Sequence, residues 1–253
     1  MTSVDIVIPV LNEEQALPKC IDTLRSFLEA RLADYQWRIV VADNGSTDRT
    51  LEIAEDYARQ TPDRVGAIHL DVRGRGRALK KAWLETDADV MTYMDVDLST
   101  GLDALPVMVN AIANEGYHIA YGSRLAKQSR IQRGAKREVI SRSYNLVIKT
   151  VMRTRFSDAQ CGFKALSREA ARVLLPVIIN NHWFFDTELL VIGEKRGFRL
   201  KEVPVTWNDD PDTRVKIIET VLEDLKGLAR LRLGGIPDVA PPQTPASGPP
   251  SSD

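Results

Sequence analysis

Residues 90–100 read VMTYMDVDLST: the run Val90–Met94 passes directly into Asp95-Val96-Asp97. A five-residue stretch of this kind, without polar alternation, has the length and composition of a strand covered on both faces. Similar runs precede it at Val4–Val10, Trp37–Ala42 and Val65–Leu70, separated by segments of helical spacing at about Glu13–Leu32, Asp48–Gln60 and Gly76–Glu85. Buried strands alternating with helices predict βαβ units, hence an α/β chain with a mostly parallel central sheet flanked by helices. Ligands of such sheets bind beyond the carboxyl ends of the strands. The residues that follow each strand therefore carry the functional question.

After Val90–Met94 these are Asp95 and Asp97. Two carboxylates at i and i+2 can converge on one hard cation, and Mg²⁺ or Mn²⁺ suits a site with few carboxylates completed by substrate phosphates. A solvated acidic turn is the plainer reading of any Asp-x-Asp, and the position after a buried strand favours the metal. After the second strand comes Asp43-Asn44-Gly45-Ser46-Thr47-Asp48. Ser46 or Thr47 is expected to cap the next helix and Asp48 to favour its positive end. Asp43 and Asn44 are left at the strand tip, where a nucleobase or ribose is gripped. Arg73-Gly74-Arg75-Gly76-Arg77 opens the third helix, and glycines flanked by guanidinium groups at a helix start suit a diphosphate. No GxGxxG follows the first strand, so a dinucleotide Rossmann site is not supported, and no GxxxxGK[ST] occurs, which excludes a P-loop.

The whole chain has 253 residues, 43% hydrophobic and 27% charged, with net charge −1, the composition of an ordinary globular protein. Its charge is uneven. Residues Arg124 to Arg155 carry +9, leaving −10 elsewhere. With Tyr144 its one aromatic, that block offers no series of stacking platforms, so no nucleic-acid partner is expected; beside an amphipathic helix it suits an anionic membrane surface or a phosphate ligand. The helix is expected at Lys136–Arg153, with Ile140, Tyr144, Val147, Ile148 and Val151 on one face. Tyr117–Ser123 and Phe198–Thr206 read as strands, and Asp186–Arg196 and Thr213–Leu233 as helices, the last with a stripe of Ile218, Val221, Leu222, Leu225 and Leu228. Cys20 and Cys161 stand apart, which speaks against a disulfide scaffold or zinc module. MTSVDIVIPV is too short and acidic for a signal, and no run nears 18 apolar residues. The expected location is cytoplasmic, peripheral at the inner face of the membrane. Pro237–Asp253, with six prolines, reads as a disordered Pro/Ser tail.

In order, the chain contains PVLNEE, ADNGSTD, RGRGRA, MDVDLST, YGSR, KRE, QCGFK, FFDTELL and EVPVTW. Together these resemble the family 2 glycosyltransferases, in particular the polyprenyl-phosphate (dolichyl-phosphate) glucose and mannose synthases, from about Val4 to Leu233. The resemblance implies a GT-A fold: one domain over 1–236, with a Rossmann-like nucleotide-sugar half (about 1–123) and an acceptor half (124–236). It implies inverting transfer of a hexose from a UDP-glucose or GDP-mannose type donor to a polyprenyl phosphate, with a soluble family member using a small-molecule or sugar acceptor as the alternative. By position, Pro9, Leu11, Glu13, Ala42, Asp43 and Asn44 would surround the nucleoside. Asp95, Val96 and Asp97 would hold the donor, Asp95 and Asp97 also its Mg²⁺ or Mn²⁺. Arg75, Arg124, Arg214 and Lys216 would meet donor phosphates, and Arg124, Arg137 and Ser141 the acceptor phosphate. Asp158 and Asp186 join Asp95 and Asp97 as candidate catalytic acids. Asp186 is the natural nominee for a base, and a helix N-cap is its plainer reading.

Overall fold

The computed structural model describes residues 1–132, 135–208 and 217–242, with backbone alone for 132, 135–137 and 217–219. The first half alternates as expected: β1 (Ser3–Val10), α1 (Ala16–Arg31), β2 (Gln36–Asp43), α2 (Thr50–Gln60), β3 (Val65–His69), α3 (Arg75–Leu84), β4 (Val90–Met94), α4 (Ala104–Ala113) and β5 (Ile119–Ser123). The second half continues with β6 (Arg130–Gln132), α5 (Ala135–Met152), β7 (Phe163–Ser167), α6 (Arg168–Leu174), α7 (Phe185–Lys195), β8 (Leu200–Pro204), β9 (Thr206–Asn208) and α8 (Ile217–Leu233). One seven-stranded sheet runs β3-β2-β1-β4-β7-β5-β8, and β6 pairs with β9 in a small second sheet. All pairs in the large sheet are parallel except those of β7, which lies antiparallel between β4 and β5.

The sequence alternation did not signal β7. Its five residues are all buried, but Lys164, the second of them, interrupts the apolar run by which a buried strand is recognised. β7 has a consequence for the site: its register sets Lys164 opposite Tyr93 and Phe163 opposite Met94, so one edge of β4 is closed by the chain that follows Gly162.

Strand side chains alternate between two cores. Ile6, Ile8, Ile39 and Val41 face α1, α2 and α4, while Val7, Val40, Met91 and Tyr93 face α3, α6 and α7. Packing rather than capping holds α1. Gln15 makes no side-chain cap, a contribution of only about 1 kcal/mol. Leu17, Ile21, Leu24 and Leu28 are fully buried instead, at about 1.5–3 kcal/mol each.

Helices α5 and α8 are apolar on more than one face. On α5, Tyr144, Ile148 and Val151 turn to the core, whereas Ile140 and Val147, expected on that face, are exposed together with Val139 and Leu146. On α8, Leu228 and Leu231 are buried, while Val221, Leu222 and Leu225 of the expected stripe are exposed; the Ile218 side chain lies outside the described residues. α8 is seated by Gly227, where a Cβ would meet the Phe184 ring at 2.3 Å. Among the described residues no helix is long and apolar enough to cross a membrane. The first residues of the expected tail return to the body: Arg196 donates to the Pro237 carbonyl at 2.6 Å and pairs with Asp238 at 3.0 Å, and Val239 packs on the core. The rest of that tail, 243–253, lies outside the described residues.

Candidate active site

β4 ends by delivering Asp95 into a chain of charged groups drawn from four elements. Asp95 Oδ1 accepts from Arg75 Nη2 at 2.7 Å, and Arg75 Nη1 donates to Asp186 Oδ2 at 2.7 Å. Asp186 Oδ1 in turn accepts from the Tyr93 hydroxyl at 2.5 Å and lies 3.1 Å from Lys164 Nζ. The Arg75 guanidinium sits 4.8 Å from the Tyr93 ring centre and 5.1 Å from that of Trp183. Burial opposes the charge on Asp186, but Lys164 and Arg75 outweigh it and lower its pKa. Asp186 is therefore a saturated ion-pair partner. It sits inside the first turn of α7 with its carboxylate turned inward, so the expected N-cap role does not hold; Phe184 occupies the cap position.

Glycine makes this meeting possible. At Gly74 φ is +156° and a Cβ would stand 2.6 Å from the Asn181 carbonyl oxygen; at Gly76 it would stand 2.6 Å from Phe185 Cβ. The start of α3 therefore passes hard against the start of α7, which is how Arg75 reaches Asp186.

Asp97 sits within a tight reversal in which Leu98 takes φ +53° and Ser99 N donates to Asp97 Oδ1 at 2.9 Å. Among the described residues no cluster of three or more potential ligands forms. The donor set nonetheless fits a hard cation. Asp95 is 41% exposed, Asp97 is exposed, and two carboxylates leave the remaining positions to phosphate oxygens and water, as Mg²⁺ and Mn²⁺ accept. The space is kept open by Gly162, where a Cβ would lie 1.8 Å from Asp95 Oδ2.

Arg124 and Asp158 form a second buried pair. Arg124 Nε and Nη2 fork onto the two Asp158 oxygens at 2.8 and 3.0 Å, and its backbone N–H adds a third bond at 3.0 Å. Burial works against the Asp158 charge, yet Arg124 brings its pKa down to about 2. The arginine expected on a phosphate is thus held by a carboxylate, and Asp158 serves to fix it.

Beyond the ends of β1 and β2, the two loops expected to hold the nucleoside are lashed together. Ser46 Oγ accepts from Asn12 N at 2.9 Å and Thr47 N donates to Asn12 Oδ1 at 2.8 Å, so neither caps α2 as expected. Asp48 does that work, accepting from Thr50 N at 3.0 Å. Asp43 is fully buried and bonded to His69 Nδ1 at 2.6 Å, which raises the histidine's pKa. Asn44 Oδ1 accepts from Gly74 N at 2.6 Å, linking the β2 tip to the loop that opens α3. Pro9 pairs with Ala42 across β1 and β2; Pro9 and Leu11 are half-buried and Ala42 is buried. Glu13 N donates to Thr50 Oγ1 at 2.8 Å, and half-buried Val96 packs against the α1–α4 core.

Of the expected acceptor residues, Ser141 Oγ is buried without a hydrogen bond. The side chain of Arg137, and Arg214 and Lys216 entirely, lie outside the described residues. The structure adds Tyr93, Gly162, Trp183 and His69 to the site. Gly162 stands in QCGFK and Trp183 precedes FFDTELL, but spacing alone does not give their contacts.

Residues 5–175 match the model of the family described as Glycosyl transferase family 2. Glycosyltransferase AglD of Haloferax volcanii is 38% identical over 87% of this chain and 35% of its own length. Dolichyl-phosphate beta-glucosyltransferase ALG5C of Trichomonas vaginalis is 30% identical over 83% of this chain, and the human dolichyl-phosphate beta-glucosyltransferase is 31% identical over 90%. The chain thus spans about a third of AglD and 65% of ALG5C. In fold it is similar to glucosyl-3-phosphoglycerate synthase from Mycobacterium tuberculosis in complex with UDP, with a TM-score of 0.67 and 22% identity over 94% of this chain and 82% of that one. The same synthase is also known in complex with Mn²⁺ and UDP-glucose. The family-model match and the identity to AglD agree with the seven-stranded sheet and its Asp-x-Asp strand end: the chain belongs to glycosyl transferase family 2.

Proposed function

We propose that this chain is a metal-dependent, inverting hexosyltransferase that moves a sugar from a nucleotide diphosphate to a polyprenyl (dolichyl) phosphate. The observation that carries the reading is the buried bridge from Asp95 through Arg75 to Asp186, in a chain whose relatives include dolichyl-phosphate beta-glucosyltransferases. The donor half is about 1–123 and the acceptor half 124–236, the two sharing one sheet through β7.

In this account Asp95 and Asp97 hold the divalent cation and the donor. The cation supplies Lewis-acid stabilisation of the leaving diphosphate. Arg75 fixes the direction of Asp95 while remaining charged itself between two carboxylates. Pro9, Leu11, Glu13, Ala42, Asp43 and Asn44 line the nucleoside end, and Asn44 holds the diphosphate loop through Gly74. Arg124, aimed by Asp158, faces the phosphates, together with Arg214, Lys216 and, on the acceptor side, Arg137 and Ser141.

The acceptor chemistry agrees with the state of Asp186. A hydroxyl acceptor needs a positioned base. A phosphate monoester, with a second pKa of about 6, is mostly dianionic at neutral pH and needs only to be held in line. Asp186, ionised and bonded on both oxygens, suits a site in which no proton has to be removed.

A membrane provides the lipid, and the exposed apolar residues Val139, Ile140, Leu146 and Val147 of α5 and Val221, Leu222 and Leu225 of α8 are the surface that meets it. Arg142, Lys149 and Arg153 accompany the α5 face, each contributing about 1 kcal/mol against anionic headgroups. A panel of UDP- and GDP-sugars with polyprenyl phosphate, in Mg²⁺, Mn²⁺ or EDTA, tests the reading. One nucleoside diphosphate should be released, only with metal; release from no donor, or equal release in EDTA, contradicts it.

A further inference from the structure

The segment 158–164 meets three charged groups of the site. Asp158 fixes Arg124, Gly162 lies against Asp95, and Lys164 pairs with Asp186 while donating to the Ala159 and Cys161 carbonyls at 3.0 and 2.8 Å. Its remaining polar side chain, Gln160, points the other way. Gln160 Nε2 donates at 3.0 Å to Oδ2 of Asp224, a residue of α8 that is 1% exposed. The second Asp224 oxygen, Oδ1, is buried and accepts no hydrogen bond.

An ionised carboxylate with one oxygen buried and unbonded is costly, and a neutral carboxyl is not. Three ionisable groups act on it. Glu223 of α8 and Asp186 of α7 repel a charge, while the Tyr144 hydroxyl of α5 favours one, as does the neutral amide of Gln160. Burial is the largest influence, and the result pushes the Asp224 pKa up to about 7. The folded chain therefore holds this proton more tightly than the unfolded one. The stability linked to it is full in acid and is lost as pH rises through about 7.

We propose that Asp224 is a positioning residue, which in its protonated form clamps Gln160 and so holds the segment 158–164 in place behind Asp95. Deprotonation puts an unsatisfied charge at the junction of α8 with that segment. The charge is hydrated only if the junction opens, a gain that outweighs the stronger bond a carboxylate makes to Gln160; the segment then shifts and Gly162, next to Cys161 and its Lys164 bond, no longer fixes the Asp95 carboxylate. The proposal rests on the donor reading above only for what the clamp serves.

The test uses the full chain as wild type, Asp224→Asn and Asp224→Leu, reading hydrogen–deuterium exchange of 158–164 at about pH 6 and about pH 8, corrected for intrinsic rates. A group titrating at about 7 changes its protonated fraction about tenfold between these points, so wild-type protection should fall by up to about tenfold. Asp224→Asn keeps an acceptor for Gln160 without a charge and should hold its protection at both. Asp224→Leu, with no acceptor, should be poorly protected at both. The same pH response in wild type and Asp224→Asn overturns the proposal, whatever the donor is. UDP with Mn²⁺ should restore wild-type protection at the higher pH. If it does not, while the difference between wild type and Asp224→Asn persists, the donor reading fails and the clamp stands.

Discussion

Gly162 lies so close to Asp95 that a Cβ on it would come within 1.8 Å of the Asp95 Oδ2 atom. The carboxylate at the end of β4 occupies the space of a missing side chain, and its other oxygen is bound to Arg75 at 2.7 Å. The position of the acid is thereby set from two sides, by a guanidinium and by an absence.

Replacing Gly162 by alanine should therefore turn Asp95 away from Arg75 with little loss of stability, because the displaced atoms end a short side chain. A misplacement of about 1 Å can cost about a hundredfold in rate. Sugar transfer should fall by that order while the melting temperature changes by no more than about 3 °C. Wild-type turnover in Gly162→Ala would mean that Asp95 is not where the chemistry happens.

Asp158 predicts a pH dependence of stability. Its folded pKa of about 2 lies below the unfolded value of about 3.9, so its contribution is full above about pH 4 and is lost as pH falls towards 2, about 2–3 kcal/mol in all. Asp158→Asn should be less stable than wild type in urea at neutral pH, with the gap closing through that acid window. A gap independent of pH would contradict a charged Arg124–Asp158 pair.

If the acceptor is already an anion, Asp186→Asn should retain measurable transfer, since the variant removes charge balance rather than a base. Small external bases should not raise its rate. A stably folded, inactive variant rescued by such bases would assign a hydroxyl acceptor and a proton-abstracting Asp186.

The exposed faces of α5 and α8 predict binding to liposomes containing anionic lipid. The electrostatic part should weaken as salt shortens the screening length from about 10 Å at 0.1 M to about 3 Å at 1 M. Replacing Leu146 and Leu222 by serine should weaken the part that salt leaves. Binding insensitive to both changes would remove these helices from the membrane side.

The parallel half of the fold was legible because its strands are mainly apolar runs, broken by single residues such as Asp5 and Arg38, that alternate with helical spacing and end in turn residues. β7 was not, because buried Lys164 interrupts its pattern, and the carboxylate that balances its charge is Asp186, 22 positions later in the sequence. The site divides likewise. Asp95, Asp43 and Asn44 follow strands, where ligands collect, and could be picked out by position. The partners that define their state come from distant turns: Arg75 from α3, His69 from the end of β3, Gly162 from the entry to β7. Roles assigned by local rules fared worst where a distant group competed, as when Asn12 took Ser46 and Thr47 from the α2 cap and Arg75 drew Asp186 inward.

The most direct test of the account compares two acceptors that differ by one group. Radiolabelled glucose or mannose from its nucleotide donor is offered, with Mn²⁺, to a polyprenyl phosphate and to the corresponding polyprenol, and the anomeric configuration of the product is read by NMR. The account predicts label on the phosphate lipid alone, with inversion, and none in Asp97→Ala. Transfer to the polyprenol at a comparable rate, or a product that retains the donor's configuration, would contradict it.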